Sequence, residues 1–323
     1  MDCGHGESVH KHVQSGVRER ILLMMHHLLE TQQFDREALK ELFAVASTME
    51  NHRDDSLHGK ILATLFYEPS TRTRLSFESA MMRLGGQVIT AENASEMSSA
   101  VKGETIEDTI KVVNHYADAI IIRHPETGMA ERAAAVSDVA IINAGDGAGQ
   151  HPTQALLDLY TIERELGKID GIHVAMVGDM RYYRSARSLS YLLGKYDNIT
   201  ITGVSLPELS MSDELKEYLK ENGVVYRETE SLADAMREAD VIYQTRIQKE
   251  RLSEEAFERS KGHYIIDRKM ADSMRNGSII IHPLPRVGEI TPEVDDSPHA
   301  VYFRQVGYGV MVRMALLKTI FNS

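Results

Sequence analysis

The stretch Phe66-Tyr67-Glu68-Pro69-Ser70-Thr71-Arg72-Thr73-Arg74 sets hydroxyls and guanidiniums at the point where an apolar run gives way to a helical pattern. Residues 60–66 are short, apolar and strand-like, while Phe77, Ala80, Met81 and Leu84 recur at helical spacing until Gly85 and Gly86 stop the pattern. Residues 70–73 therefore fall in the first helical turn. Backbone N–H groups without intrahelical acceptors converge there, the helix dipole adds partial positive charge, and a guanidinium fork suits oxyanions. The junction has the makings of a phosphate cradle. A routine serine N-cap with surface arginines produces the same local pattern, and the segment by itself leaves both readings open.

Working outward, β-rich runs alternate with helical ones. Residues 119–122 and 139–142 read as buried strands ending in Arg123 and Asn143. Pro152–Leu166 reads as a helix with Ala155, Leu159, Ile162 and Leu166 on one face, proline in its first turn and Gly167 as its stop. Strand candidates follow at 172–177, 199–204, 224–227, 241–244, 264–266 and 278–281. Ser210 and Ser231, each followed three residues later by an Asp, mark expected helix starts. The alternation appears twice. The predicted fold class is α/β, with two domains that each hold a parallel sheet flanked by helices and that interdomain helices join. A chain of 323 residues exceeds a usual single core, in agreement.

Composition narrows the function. The net charge of −12 and the lack of a basic stripe argue against nucleic acid as a partner, so anionic ligands must be met by locally gathered arginines. No apolar run approaches the roughly 18 residues of a membrane span, and residues 21–25 fit an amphipathic helix better than a signal segment. The expected location is the cytoplasm, with organellar targeting left open. Cys3 is the single cysteine, which removes an internal disulfide, and no Cys/His set has zinc spacing, so neither a metal nor a cofactor is expected.

Several further segments repeat one family's motifs in order. Residues 70–74 (STRTR), 101–105 (VKGET), 123–125 (RHP), 143–147 (NAGDG), 151–154 (HPTQ), 177–179 (VGD), 245–251 (TRIQKER) and 282–286 (HPLPR) together resemble the aspartate carbamoyltransferase catalytic-subunit family, from about Gln33 to the end. The resemblance implies a carbamoyl phosphate-binding domain over 1–151, an aspartate-binding domain over 152–303, and a terminal helix at about 304–323 that returns to the first domain. It implies transfer of the carbamoyl group of carbamoyl phosphate to the amine of L-aspartate, giving N-carbamoyl-L-aspartate and phosphate, in pyrimidine synthesis.

The chemistry accounts for the residue types. As the amine attacks, negative charge builds on the carbonyl oxygen and then on departing phosphate. By resemblance Thr73, Arg123 and His151 surround that oxygen, Gln154 holds the carbamoyl amide, and Ser70, Thr71, Arg72 and Arg123 hold phosphate. His151 acts best as a hydrogen-bond donor, with phosphate accepting the amine proton. Arg184 is carried over to the α-carboxylate, Arg246 and Gln248 to the side-chain carboxylate, and Pro283 and Leu284 to backbone carbonyls near the amine. Guanidinium forks suit the two carboxylates of aspartate. Ser98 and Lys102 lie in a polar stretch that reads as a surface loop; the family supplies them across a subunit boundary, which implies a homotrimer with shared active sites. A regulatory subunit or a nucleotide effector stays open.

Two departures stand out. Tyr183 occupies the place of the glycine usual before the carboxylate-binding arginine, and a glycine at positive φ there would demand a different turn. Gly288 replaces an acidic residue. Three rivals compete with this reading. Ornithine carbamoyltransferase shares the phosphate motif but needs acidic recognition where this chain has Arg246 and Gln248. A non-enzymatic metabolite binder would not need the full set of side chains. A nicotinamide oxidoreductase lacks a G-x-G-x-x-G after residues 177–179.

Overall fold

The computed structural model describes residues 26–92, 103–247, 254–260 and 262–321. The chain folds as two compact units, one formed by Glu37–Asp146 with the described residues up to Leu29 and from Val310 onward, the other by Glu30–Arg36 and Gly147–Gly309. The second unit begins at Gly147, a few residues before the expected boundary, and helix-forming residues after Val301 are divided between the two.

The first unit runs α1 (Arg36–Ser47), β1 (Ile61–Phe66), α2 (Thr71–Arg83), β2 (Gln87–Glu92), α3 (Ile106–Val113), β3 (Ala119–His124), α4 (Met129–Ala134) and β4 (Ala140–Asp146), with Arg36 itself counted in the second unit. Its sheet is parallel with order β2-β1-β3-β4. Strand β1 is apolar but for Thr64 and β3 is apolar up to Ile122 because helices cover both faces, whereas β2 alternates polar residues and stays largely exposed at the edge. That polarity is why β2 escapes a search for apolar runs. The other edge is covered: Leu28 N–H donates to Ile141 O at 2.8 Å and Asn143 N–H to Leu28 O at 2.8 Å.

The second unit runs α5 (Pro152–Leu166), β5 (His173–Val177), α6 (Arg184–Leu193), β6 (Thr200–Val204), α7 (Asp213–Glu221), β7 (Val225–Thr229), α8 (Leu232–Glu238), β8 (Val241–Gln244), α9 (Glu254–Ser260), α10 (Arg268–Asp272) and β9 (Ile279–Ile281). Helix α11 (Tyr302–Phe321) starts in this unit and ends in the first. The sheet is parallel with order β7-β6-β5-β8-β9. Its core gathers Ala175, Val177, Ile242 and Ile280 against Leu232, Met236 and Met274. Helix α5 is buried all round from Pro152 to Ile162 rather than along one face.

Two sequence expectations change. Residues 264–266 form no strand; Ile266 makes one isolated bridge to Ile290 and joins neither ladder. Ser210 does not start a helix: it ends a short 3-10 turn at Pro207–Leu209, its hydroxyl donates to Glu228 Oε1 at 2.8 Å, and Ser212 is the N-cap of α7. Ser231 behaves as expected, accepting the Asp234 N–H at 3.3 Å. Among the described residues no helix is long and apolar enough to cross a membrane, and no cluster of three or more His, Cys, Asp or Glu is arranged to hold a metal.

Candidate functional site

In a parallel sheet, ligands gather beyond the carboxyl ends of strands where strand order reverses. In the first unit that point lies between β1 and β3. The segment after β1 carries Ser70, Thr71, Arg72 and Thr73, and β3 carries Arg123 near its end. Ser70 is the N-cap of α2, yet its side chain makes no cap hydrogen bond. The first-turn amides are thereby left to another acceptor. Thr71 and Arg72 are exposed and Thr73 is buried.

The two arms of this switch point are tied together. Tyr67 N–H donates to Arg123 O at 2.9 Å, Arg123 pairs with Glu68 at 2.8 Å and donates to Ala144 O at 3.2 Å. Arg74 serves the scaffold instead, pairing with Glu78 at 3.2 Å and Glu92 at 3.0 Å so that α2 and the end of β2 are joined. Behind β4, Asp146 accepts from Gly128 N–H at 2.9 Å and from Asn143 Nδ2 at 3.2 Å, which shapes the turn at the strand end.

In the second unit the order reverses between β5 and β8. The loop after β5 leads to Arg184 at the start of α6, and the loop after β8 carries Arg246. Thr245 clamps these loops: its hydroxyl donates to Val177 O at 2.8 Å and accepts Asp179 N–H at 3.0 Å. A Cβ on Gly178 would meet Thr245 O at 2.7 Å, and φ there is +107°, so only glycine allows the approach. Asp179 Oδ1 then accepts Arg181 and Tyr182 N–H at 3.1 and 2.9 Å, turning the chain into α6. Arg184 Nη1 donates to Gly147 O at 2.9 Å. Thr245, Gly178 and Asp179 were not predicted as site residues; their signal is a strand-end Thr, Gly and Asp beside the charged positions.

Tyr183 adopts φ −82° as N-cap of α6, so this position demands no glycine. Burial pushes its phenol up to about 12, with Arg246 and Arg184 pulling it down and Glu289 and Asp158 pushing it up. It is a neutral hydroxyl among the charges of this site. Gly288 has φ +111°, a conformation that an acidic side chain would strain.

His151 is the buried N-cap of α5, with its N–H held by Ser188 Oγ at 3.0 Å. Gln154, one turn on, donates from Nε2 to Asp158 Oδ1 at 2.8 Å. Pro283 and Leu284 follow β9 in a turn held by His282, whose Nδ1 accepts Leu284 N–H at 2.7 Å while Nε2 meets Glu289 Oε1 at 2.9 Å. Those two contacts set the tautomer with the proton on Nε2. Ser98, Lys102 and Gln248 lie outside the described residues.

These features define a class: a two-unit α/β protein whose sheets each present recognition groups for anions at a switch point. The family model for the carbamoyl-P binding domain of aspartate/ornithine carbamoyltransferases matches residues 26–164, and that for the Asp/Orn binding domain matches residues 170–320. The chain belongs to the aspartate/ornithine carbamoyltransferase family. It is 54% identical over 310 residues to the chloroplastic aspartate carbamoyltransferase of Oryza sativa, covering 92% of this chain and 85% of that protein. The aspartate transcarbamoylase catalytic subunit of Methanocaldococcus jannaschii superposes with a TM-score of 0.85 at 49% identity, covering 92% and 98% of the two chains. The Trypanosoma cruzi aspartate transcarbamoylase, solved with carbamoyl phosphate and aspartate, gives a TM-score of 0.87 at 38% identity, covering 91% and 96%.

Proposed function

We infer that this chain transfers the carbamoyl group of carbamoyl phosphate to L-aspartate, giving N-carbamoyl-L-aspartate and phosphate in pyrimidine synthesis. A C–N bond forms at the acyl carbon, the C–O bond to phosphorus breaks, and the amine proton leaves on phosphate. The observation that carries the choice of acceptor is the pair Arg184 and Arg246 on the two arms of the second sheet's switch point, locked by Thr245. Two carboxylates call for two guanidiniums, and a cationic ornithine side chain would be repelled there. The Trypanosoma relative has also been solved with carbamoyl aspartate and phosphate, the products of this reaction.

In this reading Ser70, Thr71, Arg72 and Arg123 hold phosphate, and Thr73, Arg123 and His151 donate to the carbonyl oxygen as charge develops. Gln154 holds the carbamoyl amide. Arg184 takes the α-carboxylate, Arg246 and Gln248 the other carboxylate, and the carbonyls of Pro283 and Leu284 receive the amine hydrogens. Purified protein incubated with carbamoyl phosphate and either aspartate or ornithine checks the reading: carbamoylated product with aspartate alone is expected, and product with ornithine instead overturns it.

The proposed assembly is a homotrimer in which Ser98 and Lys102 enter a neighbour's site. Exposed Leu75 and Met82, seven residues apart on α2, and Ile89 on the open edge strand β2 support a subunit contact on this unit. Lys102→Ala and Arg72→Ala subunits are each expected to be nearly inactive alone and to regain a fraction of activity in mixed trimers, where some sites receive both native side chains. No recovery in verified mixed trimers would remove the sharing. The sequence reading of a cytoplasmic location differs from the chloroplast location of the plant relatives, and fractionation of the source cell decides between them.

A further inference from the structure

A buried polar network in the second unit sets which end of one amide faces the ligand. The backbone N–H of His282 can only donate, and it donates to Gln305 Oε1 at 2.9 Å. Gln305 must therefore turn its NH2 group the other way, where Nε2 meets Asp158 Oδ1 at 2.6 Å. The same Oδ1 accepts Gln154 Nε2 at 2.8 Å, and Oδ2 accepts the Tyr243 hydroxyl at 2.8 Å. Asp158 is fully buried, and Gln305 and Tyr243 are buried with it. Burial raises the Tyr243 phenol well above its ordinary value, which keeps it a donor. A carboxylate that gathers three donors has no hydrogen to give, so Gln154 cannot reverse its amide without setting oxygen against oxygen. Its Oε1 is thereby kept as an acceptor on the side away from Asp158.

The carbamoyl group differs from other acyl groups by its NH2, a double donor that needs an acceptor. We propose that Asp158 is the positioning residue that holds Gln154 with its carbonyl oxygen toward the acyl donor, so that the site selects an acyl phosphate bearing NH2 over one bearing CH3. The inference rests on the reading of Gln154 as the residue that meets the carbamoyl amide. A site built to hydrogen-bond a substrate N–H rejects the analogue that lacks it far more strongly than size alone would allow.

The test compares carbamoyl phosphate with acetyl phosphate, its methyl counterpart, by calorimetric binding to the full-length protein and three variants. Asp158→Asn keeps the shape but offers its own NH2, which lets the Gln154 amide reverse. Asp158→Ser is the second variant if the first does not fold, since its hydroxyl likewise donates or accepts. Gln154→Ala is the reference. Loss of preference for carbamoyl phosphate by about tenfold or more in both Gln154→Ala and the Asp158 variant supports the proposal. Loss in Gln154→Ala with the Asp158 variant within twofold of the parent overturns it and leaves the Gln154 reading standing. An unchanged preference in Gln154→Ala removes that reading and the inference with it. A merely structural Asp158 would weaken both ligands alike and leave their ratio alone.

Discussion

In the first unit Thr71 and Arg72 are exposed, and Thr73 buried, at the start of a helix whose serine cap leaves the first amides to other acceptors. In the second unit His151, Gln154 and Thr245 are buried, His151 and Thr245 held by hydrogen bonds to distant segments and Gln154 by Asp158 one turn along its own helix, while Arg184 and Arg246 are half-buried. The two halves solve recognition differently. In the proposed roles phosphate is met at a helix start whose backbone geometry a local sequence builds unaided, so few supporting side chains are needed. In the proposed roles the second unit meets both the carbamoyl group, through His151 and Gln154, and a two-carboxylate amino acid of definite shape, and side chains that meet such groups must be fixed by a packed surround. Loss of a contact should therefore act directly on the first side and through orientation on the second.

The largest effect is expected at the cradle. In the proposed role Arg72 is a preorganised charge beside the leaving phosphate, and loss of one such donor in Arg72→Ala costs roughly 10²–10³ in rate. Turnover should fall by at least that factor while the melting temperature stays within about 2 °C, because Arg72 is exposed. Activity within tenfold of the parent would sink the role.

A smaller and more selective change is expected from Arg246→Ala. Removing one charged hydrogen bond to a carboxylate should raise the aspartate KM by roughly ten- to a hundredfold and leave carbamoyl phosphate affinity, read by calorimetry, nearly unchanged. If carbamoyl phosphate binding collapses with aspartate dependence intact, the division between the two units is wrong.

The smallest effect concerns acid stability of the second unit's turn. Burial by itself would raise the Glu289 carboxyl, but hydrogen bonds from His282 and the Val287 N–H outweigh it and bring the carboxyl below its ordinary value. A depressed carboxyl contributes stability that is present above the unfolded pKa of about 4.3 and is lost as pH falls through the folded value. Wild type should therefore lose more melting temperature than Glu289→Gln between pH 7 and pH 3.5, by about 2 °C. Equal losses would mean that the hydrogen bond from His282 adds nothing to the turn.

Much of this was legible in the chain. The alternation of apolar strands and periodic helices placed β1, β3, β5, β6, β8 and α5 to within a residue or two, because parallel strands covered on both faces leave continuous apolar runs. β2 was missed because an exposed edge strand carries no such run. The strand expected at 264–266 failed for the opposite reason: a short apolar run there packs against Ile290 rather than joining a ladder. Tyr183 illustrates a further limit, since only the backbone reveals φ −82° and thus a position that takes any L residue.

The sequence by itself determined the residue types at each strand end, the hydroxyl- and arginine-rich helix start at residues 70–74 and the order of motifs, since these depend on neighbours within a turn or two. The tertiary structure alone decided that Thr245 joins the loops after β5 and β8, that Arg123 lies against Glu68, and that Asp158 gathers Gln154, Tyr243 and Gln305 from three elements. Apart from Gln154, four residues from Asp158 on the same helix, those partners are separated by tens to more than a hundred residues. Hydrogen bonds of that reach follow from how the sheet order brings strand ends together, and no local periodicity encodes them.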